Sequence, residues 1–232
     1  MDKNKLKQAV YEANMELVNK GLVIYTFGNV SQIDREHNIV AIKPSGVDYD
    51  KLKPNDIVLL DLDGNIIDGN LRPSSDTKTH LVLYREFVQI RAVVHTHSRY
   101  ATAFAQAGLS VKCLGTTHAD YFYGDVPCTG VIKDEMISDD YEKQTGNLIA
   151  DTFKNRNIDY NVVKACLVAC HGPFSWGADA KEAVFISTVL EEVAKANCLT
   201  QLLNPSALSI KKTLLDKHYL RKHGSCAYYG QG

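Results

Sequence analysis

The chain of 232 residues predicts one α/β domain in which helices cover a sheet. Three observations carry that prediction. Between residues 22 and 68 the apolar runs are short and broken by Gly, Asn, Asp and Pro, as strands joined by tight turns require. Elsewhere apolar residues recur at helical spacing over much longer stretches. No repeat, low-complexity stretch or linker marks a second domain, so residues 1–232 read as a single unit.

The elements follow in order. Leu6, Val10, Ala13 and Leu17 stripe a helix over residues 3–20 that stops at Gly21. LVIYTF, NVSQI, NIVAIK and DIVLLDL then read as strands, with Asp63-Gly64 in a hairpin turn. Thr77 to Phe87 predicts a helix, Arg91 to His95 a strand, and residues 98–107 an Ala-rich helix ending at Gly108. Residues 140–154 predict another helix and Lys164 to Cys170 a buried strand, with His171-Gly172-Pro173 a sharp turn out of it. Asp179 caps a long helix to about Leu203, and a last helix spans 206–222.

Composition excludes several function classes. Hydrophobic content of 45% and charged content of 23% are those of an ordinary soluble protein. A net charge of -1 offers no basic field for nucleic acid and no polybasic face for a membrane surface. Apolar runs fall short of a membrane span, and MDKNKLKQAV lacks the apolar segment of a secretory signal, so the expected location is cytoplasmic. The six cysteines form no CxxC pair; Cys166 and Cys170 share parity in a predicted strand and read as small core residues.

Chemistry enters with His95-Thr96-His97, directly after Val93-Val94, and with His171 after the run Cys166 to Cys170. Imidazoles at i and i+2 on a strand point to one face and can share an ion. Three histidines leave a tetrahedral metal an open position, which is what separates a catalytic site from a closed structural one. Asp76, after Ser74-Ser75, reads equally as a helix N-cap and as a carboxylate ligand. His80, one turn further on, and His118 have no role that spacing alone assigns. Gly28-Asn29, Ser45-Gly46 within Lys43-Pro44-Ser45-Gly46, and Ser74-Ser75 before a helix are three turns whose amides and hydroxyls suit a phosphate.

The stretches FGNVS, IKPSGVDY, PSSDTKTH, VVHTHSRYATAFAQAG, TTHADYFYGDVPCT, HGPFSWG, LLDKHYLRKHG and AYYGQ resemble the class II aldolase/adducin family, along essentially the whole chain. Within it they are most similar to the branch of sugar-phosphate 4-epimerases. The resemblance implies a three-layer α/β/α sandwich around a mixed, largely antiparallel sheet, assembled as a cyclic (C4) homotetramer with sites between subunits. It implies a divalent metal, usually Zn2+ with Mn2+ as an alternative, on His95, His97, His171 and Asp76. Phosphate binding is implied for Gly28, Asn29, Ser45, Gly46, Ser74 and Ser75, with Lys43 close by.

The reaction implied is inversion of C4 of L-ribulose 5-phosphate to D-xylulose 5-phosphate, in the breakdown of arabinose or ascorbate. The C4 hydrogen is not acidic, so the path implied is retro-aldol cleavage of C3–C4, rotation of the aldehyde and recombination. Rotation points the C4 oxygen the opposite way, so each face needs a proton donor/acceptor. The resemblance implies Asp120 on one face and Tyr229 on the other, with His218 nearby and Arg221 and Lys222 adding charge. The tail, about 216–232, is expected to reach a neighbouring subunit's site. The family's aldolases carry Glu where this chain has Asp76, and its adducins have lost the histidines. An aldolase that releases its aldehyde and an adducin-like scaffold are therefore the competing readings.

Overall fold

The computed structural model describes residues 2–224 and 227–228. The elements are α1 (Lys3–Asn19), β1 (Asn29–Asp34), β2 (Ile39–Ile42), β3 (Val58–Leu60), β4 (Ile66–Asp68), α2 (Thr77–Glu86), β5 (Ala92–His95), α3 (Arg99–Gln106), α4 (Thr116–Ala119), α5 (Asp134–Ser138), α6 (Tyr141–Asn155), β6 (Ala165–Val168), β7 (Gly172–Gly177), α7 (Ala180–Leu203) and α8 (Lys212–His223). The seven strands form one sheet in the order β4-β3-β2-β1-β5-β7-β6. All six neighbouring pairs are antiparallel, and a parallel bridge between Cys128 and Leu167 gives the sheet its mixed character at the β6 edge.

Strand alternation sorts the side chains into two faces. Val30, Ala92 and Val94 pack against Ala13 and Leu17 of α1 and Ala180, Ala183 and Val184 of α7. Ile33, Val40, Val93, Phe174 and Trp176 instead join Leu81, Leu83 and Tyr84 of α2 and Ile149 and Phe153 of α6 in the main core. Helices on both faces make the sandwich of three layers that the sequence resemblance implied.

Four local expectations are corrected. Leu22–Phe27 is an irregular loop rather than a strand, because β1 is already paired on both sides by β2 and β5. Leu22 and Val23 anchor that loop in the core while Ile24, Tyr25 and Phe27 are exposed. The turn expected at His171-Gly172-Pro173 lies earlier, over residues 169–171, and Gly172–Gly177 is a strand inside the sheet. Cys166 is a core residue as expected, but β6 ends at Val168, so Cys170 sits exposed in the turn with φ of 62°. The last helix starts at Lys212, because Asn204–Ser206 turns and the Ile210 amide donates to the Cys113 carbonyl instead of to a helix ladder.

One contact fixes how the chain leaves β5. Ser98, the N-cap of α3, makes no side-chain cap bond. Glu191 of α7 supplies it, its carboxylate oxygens accepting from the Tyr100 and Ala101 amides at 2.9 Å each. These amides have no partner inside the helix. Glu191→Ala is expected to lower stability by about 0.5–2 kcal/mol, the usual worth of a cap, and Glu191→Gln by less; urea denaturation measures both.

Candidate active site

Sheet register assembles the site. Asn29 opens β1 opposite His95, the last residue of β5, and His95 also lies opposite Phe174 of β7. The turn between β6 and β7 then delivers His171 beside His95, with ring centroids 4.7 Å apart. That approach needs Gly172, where a Cβ would stand 2.8 Å from the Thr96 carbonyl oxygen. Gly28 is held likewise: its φ is 76° and a Cβ would meet the His95 carbonyl oxygen at 2.8 Å. On the β2 side the Ser74 amide donates to the Lys43 carbonyl and the Ser45 amide to the Arg72 carbonyl, which ties the two remaining loops together.

One cleft of about 480 Å³ results, lined by all eleven residues expected to hold metal or phosphate: Gly28, Asn29, Lys43, Ser45, Gly46, Ser74, Ser75, Asp76, His95, His97 and His171. Thr26, Phe27, Pro44, Tyr141 and Glu142 line it as well. Sequence reasoning assigned these no part. Phe27 sat in a misread strand, and Tyr141 starts a helix whose apolar pattern says nothing of its first residue.

The histidine end suits a divalent cation. One ligand atom from each of His95, His97 and His171 lies within 4.8 Å of the others. His95 Nδ1 is 3.0 Å from the Pro173 carbonyl oxygen, which can only accept, so that nitrogen carries the proton. Its Nε2 lone pair is left facing His97 Nε2 at 3.1 Å, an arrangement that a shared cation satisfies. Burial pushes His95 down to about 3 and lowers His97 and His171 as well, so the imidazoles are neutral, as ligands must be. Tyr141 Oη stands 3.3 Å from His171 Nδ1.

Asp76 does not cap its helix. Its backbone is already helical (φ -72°, ψ 0°) and its side chain makes no cap bond. Instead Oδ2 accepts from Asn29 Nδ2 at 2.7 Å, and the same amide donates to Ser74 Oγ at 3.0 Å. Burial would raise the carboxyl, but His95, His80, the Asn29 amide and His171 hold it below the usual carboxylate range. Asp76 shares the cleft without joining the tight histidine cluster.

The opposite end suits an anion. Lys43 is 1% exposed, and its ammonium sits 4.7 Å above the Tyr49 ring with a single long bond, 3.4 Å, to the Pro44 carbonyl. Burial pushes it down to about 8, against the pull of Asp48, and a phosphate beside it would favour the charged form further.

Asp120 and His218 lie outside this cleft. Asp120 ends α4 and meets α8, accepting from His218 Nδ1 at 3.0 Å and from Arg221 at 3.0 Å on each oxygen, with Lys222 Nζ at 3.5 Å. His118 is buried, its Nε2 donating to the Gly124 carbonyl in a structural turn. Tyr229 lies outside the described residues. Among the described residues no helix is long and apolar enough to cross a membrane.

Sandwich and cleft together define an α/β protein with a candidate divalent-metal centre beside an anion cradle. The chain belongs to the class II aldolase and adducin family: residues 8–198 match the model described as Class II Aldolase and Adducin N-terminal domain. A solved L-fuculose 1-phosphate aldolase is 26% identical, with a TM-score of 0.77 over 92% of this chain and 94% of that one. The l-fuculose-1-phosphate aldolase of Thermus thermophilus is 25% identical, with a TM-score of 0.66 over 88% and 98%. YgbL of Klebsiella pneumoniae, at 23% identity and a TM-score of 0.74 over 94% and 99%, shares the fold.

Buried neutral imidazoles make stability depend on pH. His80 is pushed to about 4 and His95 to about 3, below the value near 6.5 of an unfolded histidine. Below pH 6.5 the unfolded chain therefore binds protons that the folded chain refuses. Stability is full above that pH and falls as pH drops toward 4, by up to about 1.4 kcal/mol per unit for each group. Urea midpoints of the metal-free protein at pH 7.5, 6 and 5 measure this. The slope should flatten in His95→Asn, and a level profile in the unmodified chain would refute the buried neutral state.

Proposed function

We propose that the chain is a metal-dependent L-ribulose-5-phosphate 4-epimerase that works by cleaving and remaking the C3–C4 bond. The observation that carries this reading is the single cleft, with a neutral histidine cluster beside a tethered Asp76 and a buried Lys43 among phosphate-type turns. A divalent ion on His95, His97 and His171, with Asp76 adjoining, would supply Lewis acidity to the oxygens at C2 and C3.

The chain's own groups do the rest. Lys43, the Ser45-Gly46 and Ser74-Ser75 turns and the Gly28-Asn29 loop grip the phosphate, so the two-carbon fragment cannot leave while it turns. Recombination becomes nearly unimolecular, which offsets much of its entropic cost. Proton transfer at the C4 oxygen is assigned to Asp120 and Tyr229, one on each face, with His218 beside Asp120. Because Asp120 lies outside its own chain's cleft, it reaches substrate across a subunit boundary in the C4 tetramer proposed here. The tethering of Asp76 supports this division of labour. A carboxylate held at 2.7 Å by Asn29 is placed to fix charge rather than to travel with a proton.

A class II aldolase that releases its aldehyde is the second reading, favoured by the likeness to the two fuculose-phosphate aldolases. Incubation with L-ribulose 5-phosphate separates them. D-xylulose 5-phosphate forming without free glycolaldehyde phosphate supports the epimerase; net cleavage to dihydroxyacetone assigns the aldolase. A chain that binds no metal and turns over neither would be a scaffold of adducin type.

The subunit boundary has its own test. Asp120→Asn and Tyr229→Phe are each expected to fold and keep their metal while losing about 10²–10⁴-fold in kcat. Mixed tetramers of Asp120→Asn and His97→Asn subunits should regain activity, since each supplies what its neighbour lacks. No recovery on mixing would confine the chemistry to one chain.

A further inference from the structure

Two walls of the anion end meet at a side chain that does not itself line the cleft. Tyr49, between β2 and β3, is 6% exposed and packs with Leu17, Leu22, Val23 and Val30. Burial pushes its phenol up, so the hydroxyl keeps its proton and acts as a donor. That one proton is shared between two carbonyls, with Oη 2.9 Å from the Gly28 oxygen and 3.1 Å from the Phe27 oxygen. The face of the same ring carries the Lys43 ammonium, 4.7 Å from its centroid.

Each contact has a consequence at the cleft. A planar trans peptide points its C=O and N–H in opposite directions. With the Phe27 and Gly28 carbonyls both turned to Tyr49, the Gly28 and Asn29 amides face away from Tyr49, and the residues that carry them line the cleft. On the other wall, Asp48, the acid whose charge acts on Lys43, is paired with Lys51 at 2.6 Å. The bond from Lys43 to the Pro44 carbonyl is a long 3.4 Å. The electron-rich face of Tyr49 is then the surface on which the ammonium rests. A ring face holds a cation without cancelling its charge, whereas a carboxylate in that place would repel an incoming anion.

We propose that Tyr49 is a positioning residue for a phosphate monoester: its ring seats the Lys43 ammonium and its hydroxyl sets the Gly28-Asn29 turn, so that one buried side chain aligns both walls. The role toward a ligand rests on reading this end of the cleft as a phosphate site, whereas the seat for Lys43 does not.

Two changes separate ring from hydroxyl, and both keep the packed ring. Tyr49→Phe removes the hydroxyl alone. Phenylalanines bearing one to three fluorines, incorporated site-specifically at position 49, then drain charge from the ring face at nearly constant shape. In protein labelled with 13C-lysine, with Lys43→Met assigning the signal, the Lys43 Cε resonance follows its protonation. Its titration midpoint should fall by roughly half a pH unit from Tyr49→Phe to the most fluorinated ring, because a poorer face favours loss of the proton. A midpoint that stays put through the series overturns the seat.

Titration with inorganic phosphate tests the turn. In the unmodified chain, phosphate should shift both the Lys43 signal and the Gly28 amide 1H–15N signal. Tyr49→Phe should bind phosphate about three- to tenfold more weakly, the order of one hydrogen bond, with a smaller Gly28 shift at saturation. Equal affinity in Tyr49→Phe and the unmodified chain overturns the part given to the hydroxyl. If phosphate moves neither signal in the unmodified chain, the phosphate reading of this end fails and the role toward a ligand with it, while the fluorine series still decides the seat.

Discussion

Everything at the candidate site depends on the antiparallel pairing of β5 with β1 on one side and β7 on the other. That pairing sets Asn29 and Phe174 on either side of His95. A slip of one residue would turn every side chain to the opposite face and send His95 among the apolar residues that α1 and α7 pack on that face. Register is protected by burial on both faces, because the same slip would drive Val93 and Trp176 out of the main core. The precision of the cleft is thus supplied by the hydrophobic effect acting on residues that do no chemistry.

The polar groups of the cleft are held at a cost that their function explains. A buried imidazole gives up its hydration and its proton, and a buried ammonium such as Lys43 keeps its charge only at a penalty. A structure selected for stability alone would place none of these there. Together they give the site opposite preferences at its two ends: neutral imidazole lone pairs that suit a cation, and a buried ammonium that suits an anion. A metal and a phosphate ester satisfy both at once, which is why a sugar phosphate suits the cleft better than a neutral sugar.

Much of this was legible in the sequence because strands and turns announce themselves locally. The i, i+2 histidines, the three phosphate-type turns and the helix after Asp179 need only short-range pattern to be seen. β7 was not legible, because Gly172, Pro173 and Gly177 are turn formers, and a strand containing them reads as a loop. Pro173 is tolerated because it lies beyond the end of β5, where no ladder bond asks for its missing N–H. Leu22–Phe27 failed in reverse: its apolar run looks like a strand, but the sheet had no vacant edge beside β1. Both errors concern which strands pair across long sequence separations. Asp76 shows the same limit at one residue, since its two readings differed only in ψ and in the position of Asn29, 47 residues away.

Asp76 also bears on how the work is divided under the proposed function. A carboxylate that moves a proton must be free to approach and retreat, and a longer glutamate at this place would have that reach. The shorter side chain is pinned by Asn29, within a helix turn whose backbone leaves it no capping duty. Fixing Asp76 removes the nearest candidate base from the cleft. Tyr141 and Glu142 also line the cleft, and under the proposed function proton transfer passes to groups brought from elsewhere because inversion at a carbon requires two of them on opposite faces. Asp120, paired with His218 and Arg221 at the junction of α4 and α8, stands outside its own chain's cleft. On this argument the tether at Asp76 and the dependence on a neighbouring subunit are one adaptation: a site that breaks a carbon–carbon bond on rigid groups and reserves proton transfer for groups that arrive from both sides.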